Sequence, residues 1–440
     1  MTSIAVVGDG RSCTRPSPGG SKAGAIVAQH FSLFRCCACP EFGTCNGEKT
    51  GSAAAGAPDW PSHQIRRLAS MSADRILASY RLHGPAAPGE RALQLALEQS
   101  IEMQASSVTD PRVLADVVAR VDDVSVNADG THTARLALSA ESVGEDAGQL
   151  MNMLFGNCSL QPDVELIGLD LPEPLARLWG GPNLGIDGLR ERTGALARPL
   201  TCTALKPIGT TVGALARMCA TFARAGIDVI KDDHGCADQA SAPFAERVLA
   251  CQQAVDSANA ARVGGRSLYA PSLYGHHGQM REQIEAARRA GVRAVLIAPM
   301  VCGVATLVAA KREFQDMLFI AHPSLGGNRI APPVLLGTLF RLFGADAVIF
   351  PNHGGRFSYP RETCLAIAGA CTKPWHQLKR SLPTPAGGMS VERVPEIVRE
   401  YGRDSMLLIG GSLLAARERL AERSTEFVAA VAAAAESVAA

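Results

Sequence analysis

Lysine, aspartate and histidine crowd the end of one apolar run, Ile227-Asp228-Val229-Ile230-Lys231-Asp232-Asp233-His234-Gly235. If that run is a strand, side-chain alternation sends Lys231 and Asp233 to the same side at its end. An amine held beside a carboxylate can move protons, and it can also become part of a metal site. An exposed charged turn would use the same residue types, so the remainder of the chain has to decide between the two readings.

Other apolar runs end in similar chemistry. Lys206-Pro207 follows 200–205, His276-His277 comes after 267–270, and His322-Pro323 follows 317–321. Pro351-Asn352-His353-Gly354-Gly355-Arg356 follows 347–350, while Gly387-Gly388 and Gly410-Gly411-Ser412 come after 382–385 and 406–409. A lone histidine after a strand commonly satisfies a structural hydrogen bond, and a glycine pair commonly makes a tight turn. Two glycine pairs after consecutive strands point further, to bare backbone N–H groups that cradle a phosphate. Lys206 and Lys231 at one rim would repel, which lowers the pKa of at least one. A neutral lysine can serve as base or nucleophile. It can also take up carbon dioxide as a carbamate, whose oxygens suit Mg²⁺.

The elements that must position these groups are legible in the hydrophobic rhythm. From about 199 onward, short apolar strands are expected at 200–205, 228–231, 267–270, 294–297, 317–321, 347–350, 382–385 and 406–409, with helices such as 212–225 and 281–291 between them. Repeated β-then-α units imply parallel strands and right-handed crossovers, and eight of them suit a closed (β/α)₈ TIM barrel with catalytic groups at the carboxyl ends of the strands. An open doubly wound sheet is disfavoured because no G-x-G-x-x-G follows the first strand. Before the barrel, strands at 75–82, 133–139 and 164–169 mix with helical spacing at 89–103 and 111–121, a smaller α+β domain. The expected class is therefore α/β, with an α+β (ferredoxin-like) domain over 72–190 and a catalytic barrel over 199–430.

Residues 1–70 lack sustained periodicity and carry Pro/Gly/Ser/Ala stretches, so a disordered extension is expected there. Met71, just before the first clean strand, is the expected natural start. Cys36 and Cys39 form a C-x-x-C with Cys45 nearby, but no second pair at finger-like spacing accompanies them, which argues against zinc. The eight cysteines from Cys158 onward are scattered as reduced core thiols would be. In a chain of 440 residues, a net charge of +1 leaves no electrostatic footprint for nucleic acid or an acidic membrane, and no apolar run is long enough to span a bilayer. Small soluble ligands and a cytoplasmic address are expected.

Taken in order, Thr203-Ala204-Leu205-Lys206-Pro207, the Gly226–Asp233 run, Ala386-Gly387-Gly388 and Ile409-Gly410-Gly411 resemble the large subunit of ribulose bisphosphate carboxylase (RuBisCO). Glu98 in Leu97-Glu98-Gln99-Ser100 and Asn152 in Asn152-Met153-Leu154-Phe155-Gly156 fit the same pattern, and the resemblance runs over about residues 72–430. It implies that Lys231 is carbamylated, that Asp232 and Asp233 flank or complete a Mg²⁺ site, and that Lys206 moves the proton in enolisation. It implies phosphate binding at Gly387, Gly388, Gly410 and Gly411. It also implies a homodimer in which Glu98 and Asn152 reach the partner's site.

The departures are informative. His234 replaces the third metal carboxylate, a softer ligand that makes another divalent ion an alternative to Mg²⁺. Ile208 stands for the second lysine of K-P-K, Pro323 for the arginine after the strand-five histidine, and Ala386 for the serine before Gly-Gly, while the family's mobile-loop lysine has no clear counterpart, Arg356 being the nearest cation. Lost donors imply a substrate with one phosphate or none, and no carbon dioxide fixation. The match is thus to RuBisCO-like proteins. The leading expectation is a decarboxylase of a branched 3-oxo sugar acid such as 3-oxo-isoapionate or its phosphate. Lys231, Asp233 and His234 would hold the metal, Lys206 or His322 would supply the proton, and His353 and Arg356 would contact substrate. The alternatives are an enolase or isomerase of a methylthio-sugar phosphate, and a sugar-phosphate binder without chemistry.

Overall fold

The computed structural model describes residues 75–84, 87–355 and 357–439. The expected disordered extension, the Met71 start and the Cys36/Cys39 pair lie outside the described residues, as does Arg356.

Two sheets organise the described chain. The first is four-stranded and antiparallel, in the order β2-β3-β1-β4: β1 (Arg75–Leu82), β2 (Arg120–Val126), β3 (His132–Ser139) and β4 (Val164–Asp170). In β1 the alternation is strict: Ile76, Ala78, Tyr80 and Leu82 are buried, and the residues between them are half-covered. The helices Pro88–Glu98 and Ala147–Phe155 belong to this α+β part. The sequence expectation differs at two points. The 89–103 helix stops at Glu98, and instead of a helix over 111–121 there is one π-turn, Val113–Val117, followed by β2. β2 is a polar edge strand with no buried residue, so it carries no hydrophobic period to read.

The second sheet has eight strands, all paired in parallel, in the order β7-β6-β5-β12-β11-β10-β9-β8. They are β5 (Leu200–Leu205), β6 (Val229–Asp232), β7 (Leu268–Ala270), β8 (Ala294–Ile297), β9 (Leu318–Ala321), β10 (Ala347–Pro351), β11 (Leu382–Ala386) and β12 (Met406–Leu408). A parallel bridge between Ser272 and Leu296, with Leu296 N–H donating to Pro271 O at 2.8 Å, joins β7 to β8 and closes the ring. The barrel expectation holds, and among the described residues no helix is long and apolar enough to cross a membrane.

Alternation sorts the barrel strands into two cores. Leu200, Cys202, Val229, Leu318, Ile320, Ala347, Leu382 and Met406 fill the interior, joined by Ile186 and Leu189 of the helix Gly185–Thr193. The other faces pack outward against helices. The helix Val212–Ala225 buries Leu215, Cys219, Phe222 and Ala223, an i, i+4, i+7, i+8 stripe, and ends at Gly226, where φ is 92°. The α+β sheet is joined to the barrel through Leu166, which exchanges backbone hydrogen bonds with Arg329 and Ala331 at 2.9 and 2.8 Å.

Candidate active site

The inward rows of the barrel continue past the apolar core into the chemistry. Leu200, Cys202 and Ala204 lead to Lys206, and Val229 leads through Lys231 to Asp233. Leu318 and Ile320 lead to His322. With a side-chain period of two, each polar group lands on the same face as the core residues below it. All four line one cavity of about 960 Å³ at the carboxyl ends of the strands, with His234, Gly387, Gly388, Gly410 and Gly411.

Asp233 is the hub. Its Oδ1 accepts from Lys206 Nζ at 2.7 Å and lies 3.2 Å from His234 Nδ1. Burial works to raise this carboxyl, but hydrogen bonds from His234 and Lys206 and the charge of both lysines outweigh it and hold it well below the usual carboxylate range. Lys231 is buried, donates to the Asp232 carbonyl at 2.9 Å, and is lowered from the usual lysine value by loss of hydration, to which the Lys206 charge adds. His322 stacks on His234 with ring centroids 4.1 Å apart and 10° between planes, and its Nδ1 meets Ser324 Oγ at 2.8 Å. Withdrawal from water, then the charges of Lys231 and His234, push its imidazole down to about 2.

Asp232 faces the other way, as alternation demands. It accepts from Tyr269 Oη at 2.8 Å and from Arg247 Nε and Ser272 N at 3.1 Å, all in the layer outside the barrel. Arg247 also donates to the Ala242 and Ala237 carbonyls, at 2.5 and 2.9 Å, so this buried pair pins the loop that follows Asp233. Its role is to hold the strand end still.

The glycine pairs frame the cavity with backbone. Gly387 and Gly388 have φ of 78° and 63°, and a Cβ on Gly388 would come within 2.4 Å of Gly355 Cα. The residues lining the cavity include one carboxylate, Asp233, flanked by two amines. That donor set does not suit Mg²⁺ while Lys231 is an amine. A carbamate on Lys231 would add hard oxygen ligands beside Asp233 and His234, and the set then fits a divalent cation.

Some expected residues lie elsewhere. The His353 ring meets Glu400 at 2.8 Å, and Glu396 lies at 3.8 Å. Those three could geometrically hold a metal, but Arg361 and Arg393 already neutralise the two carboxylates, at 2.5 and 2.9 Å. His276 caps the helix His277–Arg289, its Nδ1 accepting from Gln279 N at 3.4 Å, and neither His276 nor His277 lines the cavity. Glu98 accepts from Asn157 at 2.9 Å, and Asn152 is exposed on the helix Ala147–Phe155. Neither lines the cavity of its own chain. Gln99 Nε2 donates to Met153 O at 2.6 Å, bringing the ends of their two helices together. Ser412, named with its glycine pair, also lines the cavity, whereas the sequence reading missed Ser324, Tyr359 and Met389 there. Only Ser324 left a signal, two residues beyond His322, where a hydroxyl can reach back within a turn.

Comparison with known proteins adds the following. A family model described as "Ribulose bisphosphate carboxylase large chain, catalytic domain" matches residues 185–328. The 5-methylthioribulose-1-phosphate isomerase of Rhodospirillum rubrum is 53% identical over 365 residues, covering 82% of this chain and 97% of that protein. The 2,3-diketo-5-methylthiopentyl-1-phosphate enolase of Geobacillus kaustophilus is 31% identical over 288 residues, 63% of this chain and 70% of its own length. The crystal structure of a Rubisco-like protein from Rhodopseudomonas palustris superposes with a TM-score of 0.76 at 46% identity, covering 82% of this chain and 98% of that one.

Proposed function

Because the chain belongs to the RuBisCO large-chain family, as one of its RuBisCO-like members, we propose that it isomerises a methylthio-ketose phosphate of the 5-methylthioribulose-1-phosphate kind. The observation that carries this reading is the extensive identity to the Rhodospirillum isomerase. The decarboxylase preferred on sequence grounds gives way to the alternative named beside it, since these relatives are called isomerase and enolase.

The groups in the cavity suit that chemistry. Isomerisation takes a proton from a carbon beside a carbonyl and returns one to the former carbonyl carbon, so it balances without any co-reactant. Lys206 is part-exposed in the cavity and tethered to Asp233, and it is the group placed to move the proton. His322, held neutral, cannot enter as an imidazolium acid and instead offers a neutral ring for hydrogen bonding to the developing enediolate oxygen. Gly387, Gly388, Gly410 and Gly411 take the single phosphate through backbone N–H groups, while Pro323 and Ala386 supply no side-chain donors for a second. Carbamylated Lys231, Asp233 and His234 would hold Mg²⁺ or a similar ion, which when bound polarises the substrate carbonyl. Glu98 and Asn152 complete the partner's cavity in a homodimer.

Incubation of the full chain with 5-methylthioribulose 1-phosphate and Mg²⁺ in D₂O, followed by ³¹P and ¹³C NMR, tests the reading. The expected result is an isomeric ketose phosphate carrying deuterium on one carbon. An unchanged substrate spectrum, together with gas release from a branched 3-oxo acid, would replace isomerisation with decarboxylation.

A further inference from the structure

The loop after β9 contains a residue whose conformation the fold does not explain. Pro323-Ser324-Leu325-Gly326 is a turn closed by Gly326 N–H donating to Pro323 O at 2.9 Å, and Leu325 at its third position has φ of 58°. Glycine occupies that left-handed region at little cost, whereas a bulky side chain there is a genuine outlier. Core burial does not offset the strain, because Leu325 is 71% exposed. Leu325 instead belongs to the lining of the active-site cavity, three residues after His322.

Other apolar groups line this cavity. Pro323, in the same turn, stands where the resemblance places an arginine, and Phe357, itself 71% exposed, lines the same cavity. The loops carrying the glycine pairs follow β11 and β12, two and three positions around the ring from β9. A ketose with phosphate at one end and a thioether at the other needs two such environments, one of bare N–H groups and one of hydrocarbon.

Resting on the isomerase reading, we infer that Leu325 is a specificity-determining residue that receives the methylthio end of the substrate. Strain is kept at this position because a glycine there would leave the thioether without its apolar contact.

The test compares wild type, Leu325→Gly and Leu325→Met on 5-methylthioribulose 1-phosphate and on ribulose 1-phosphate, in which a hydroxyl replaces the methylthio group. Leu325→Gly relaxes the backbone, so its melting temperature is expected to be unchanged or higher. Its KM for the thioether substrate rises about tenfold with kcat within about threefold, its kinetics on ribulose 1-phosphate move by less than about threefold, and Leu325→Met retains wild-type discrimination. Equal losses on both substrates, unchanged discrimination, or a fall in the mass of the particle by light scattering would overturn the inference and assign Leu325 to the turn or to a subunit contact. If wild type turns over the thioether substrate and Leu325→Gly discriminates as well as wild type, this inference alone fails. If wild type turns over neither substrate, the isomerase reading fails and this inference with it.

Discussion

The two rims of the barrel treat buried charge in opposite ways. At the amino-terminal rim two buried carboxylates are saturated. Asp228 accepts from both terminal nitrogens of Arg198, at 2.7 and 2.9 Å, and from the Thr201 N–H and hydroxyl at 2.7 and 2.9 Å. Asp346 accepts from three backbone N–H groups, those of Leu184, Gly185 and Phe319, at 2.6–2.9 Å. At the carboxyl-terminal rim, Lys231 is buried on a single carbonyl and His322 is stacked on His234, out of water and with the Lys231 charge opposing its own. Saturated groups stabilise a fold and have nothing left to offer a substrate. The under-satisfied rim costs stability and holds the groups able to react.

Substitutions at the two rims should therefore separate activity from stability. The largest effect is expected for Lys206→Met, which should lower kcat by about 10²–10⁴-fold, as for loss of a proton-transferring group. Its melting temperature should stay within a few degrees of wild type, since the lost ion pair is partly exposed and such pairs contribute roughly 0–1 kcal/mol. Wild-type turnover by this variant would remove Lys206 from the reaction. Asp228→Ala should do the reverse: leaving Arg198 without its bidentate partner is expected to cost about 3 kcal/mol in urea denaturation, with kcat of the folded fraction unchanged. A drop in kcat without a drop in stability would contradict the contrast between the rims.

Much of this contrast could be read from the sequence, because in the barrel strands one period governs both core and site. The row Leu200, Cys202, Ala204, Lys206 announces its geometry, and so does Val229, Lys231, Asp233. The helix Val212–Ala225 was legible to the residue, since its stripe and terminal glycine agree. What stayed hidden depends on partners remote in sequence or on polar surface. β2 has no buried face, and His353 is aimed by Glu400, 47 residues away. Leu325 is notable only once its φ is known. Asp232 and Asp233 are adjacent carboxylates in the sequence, yet the pleat gives one to the helical layer and the other to the cavity.

The smallest expected effect sharpens the comparison through pH. An unfolded histidine gains its proton as pH falls through about 6.5, whereas folded His322 resists protonation until about 2. Across that window the unfolded state binds more protons, so the contribution of His322 to stability is full above about 6.5 and is lost progressively as pH falls toward 2. Asp233 acts in the same direction but in a lower window, because its folded carboxyl is depressed. Its contribution is present above the ordinary carboxylate range and is lost only as pH falls through that range and below. Melting temperatures of wild type and His322→Gln, followed from pH 7.5 to 5, isolate the histidine, since the variant keeps every carboxylate. The wild-type curve should fall more steeply, by about 1 kcal/mol over that range after discounting for partial solvent access. Parallel curves would mean that His322 is as easily protonated in the fold as in water, and the neutral ring assigned to it in the reaction would have to be given up.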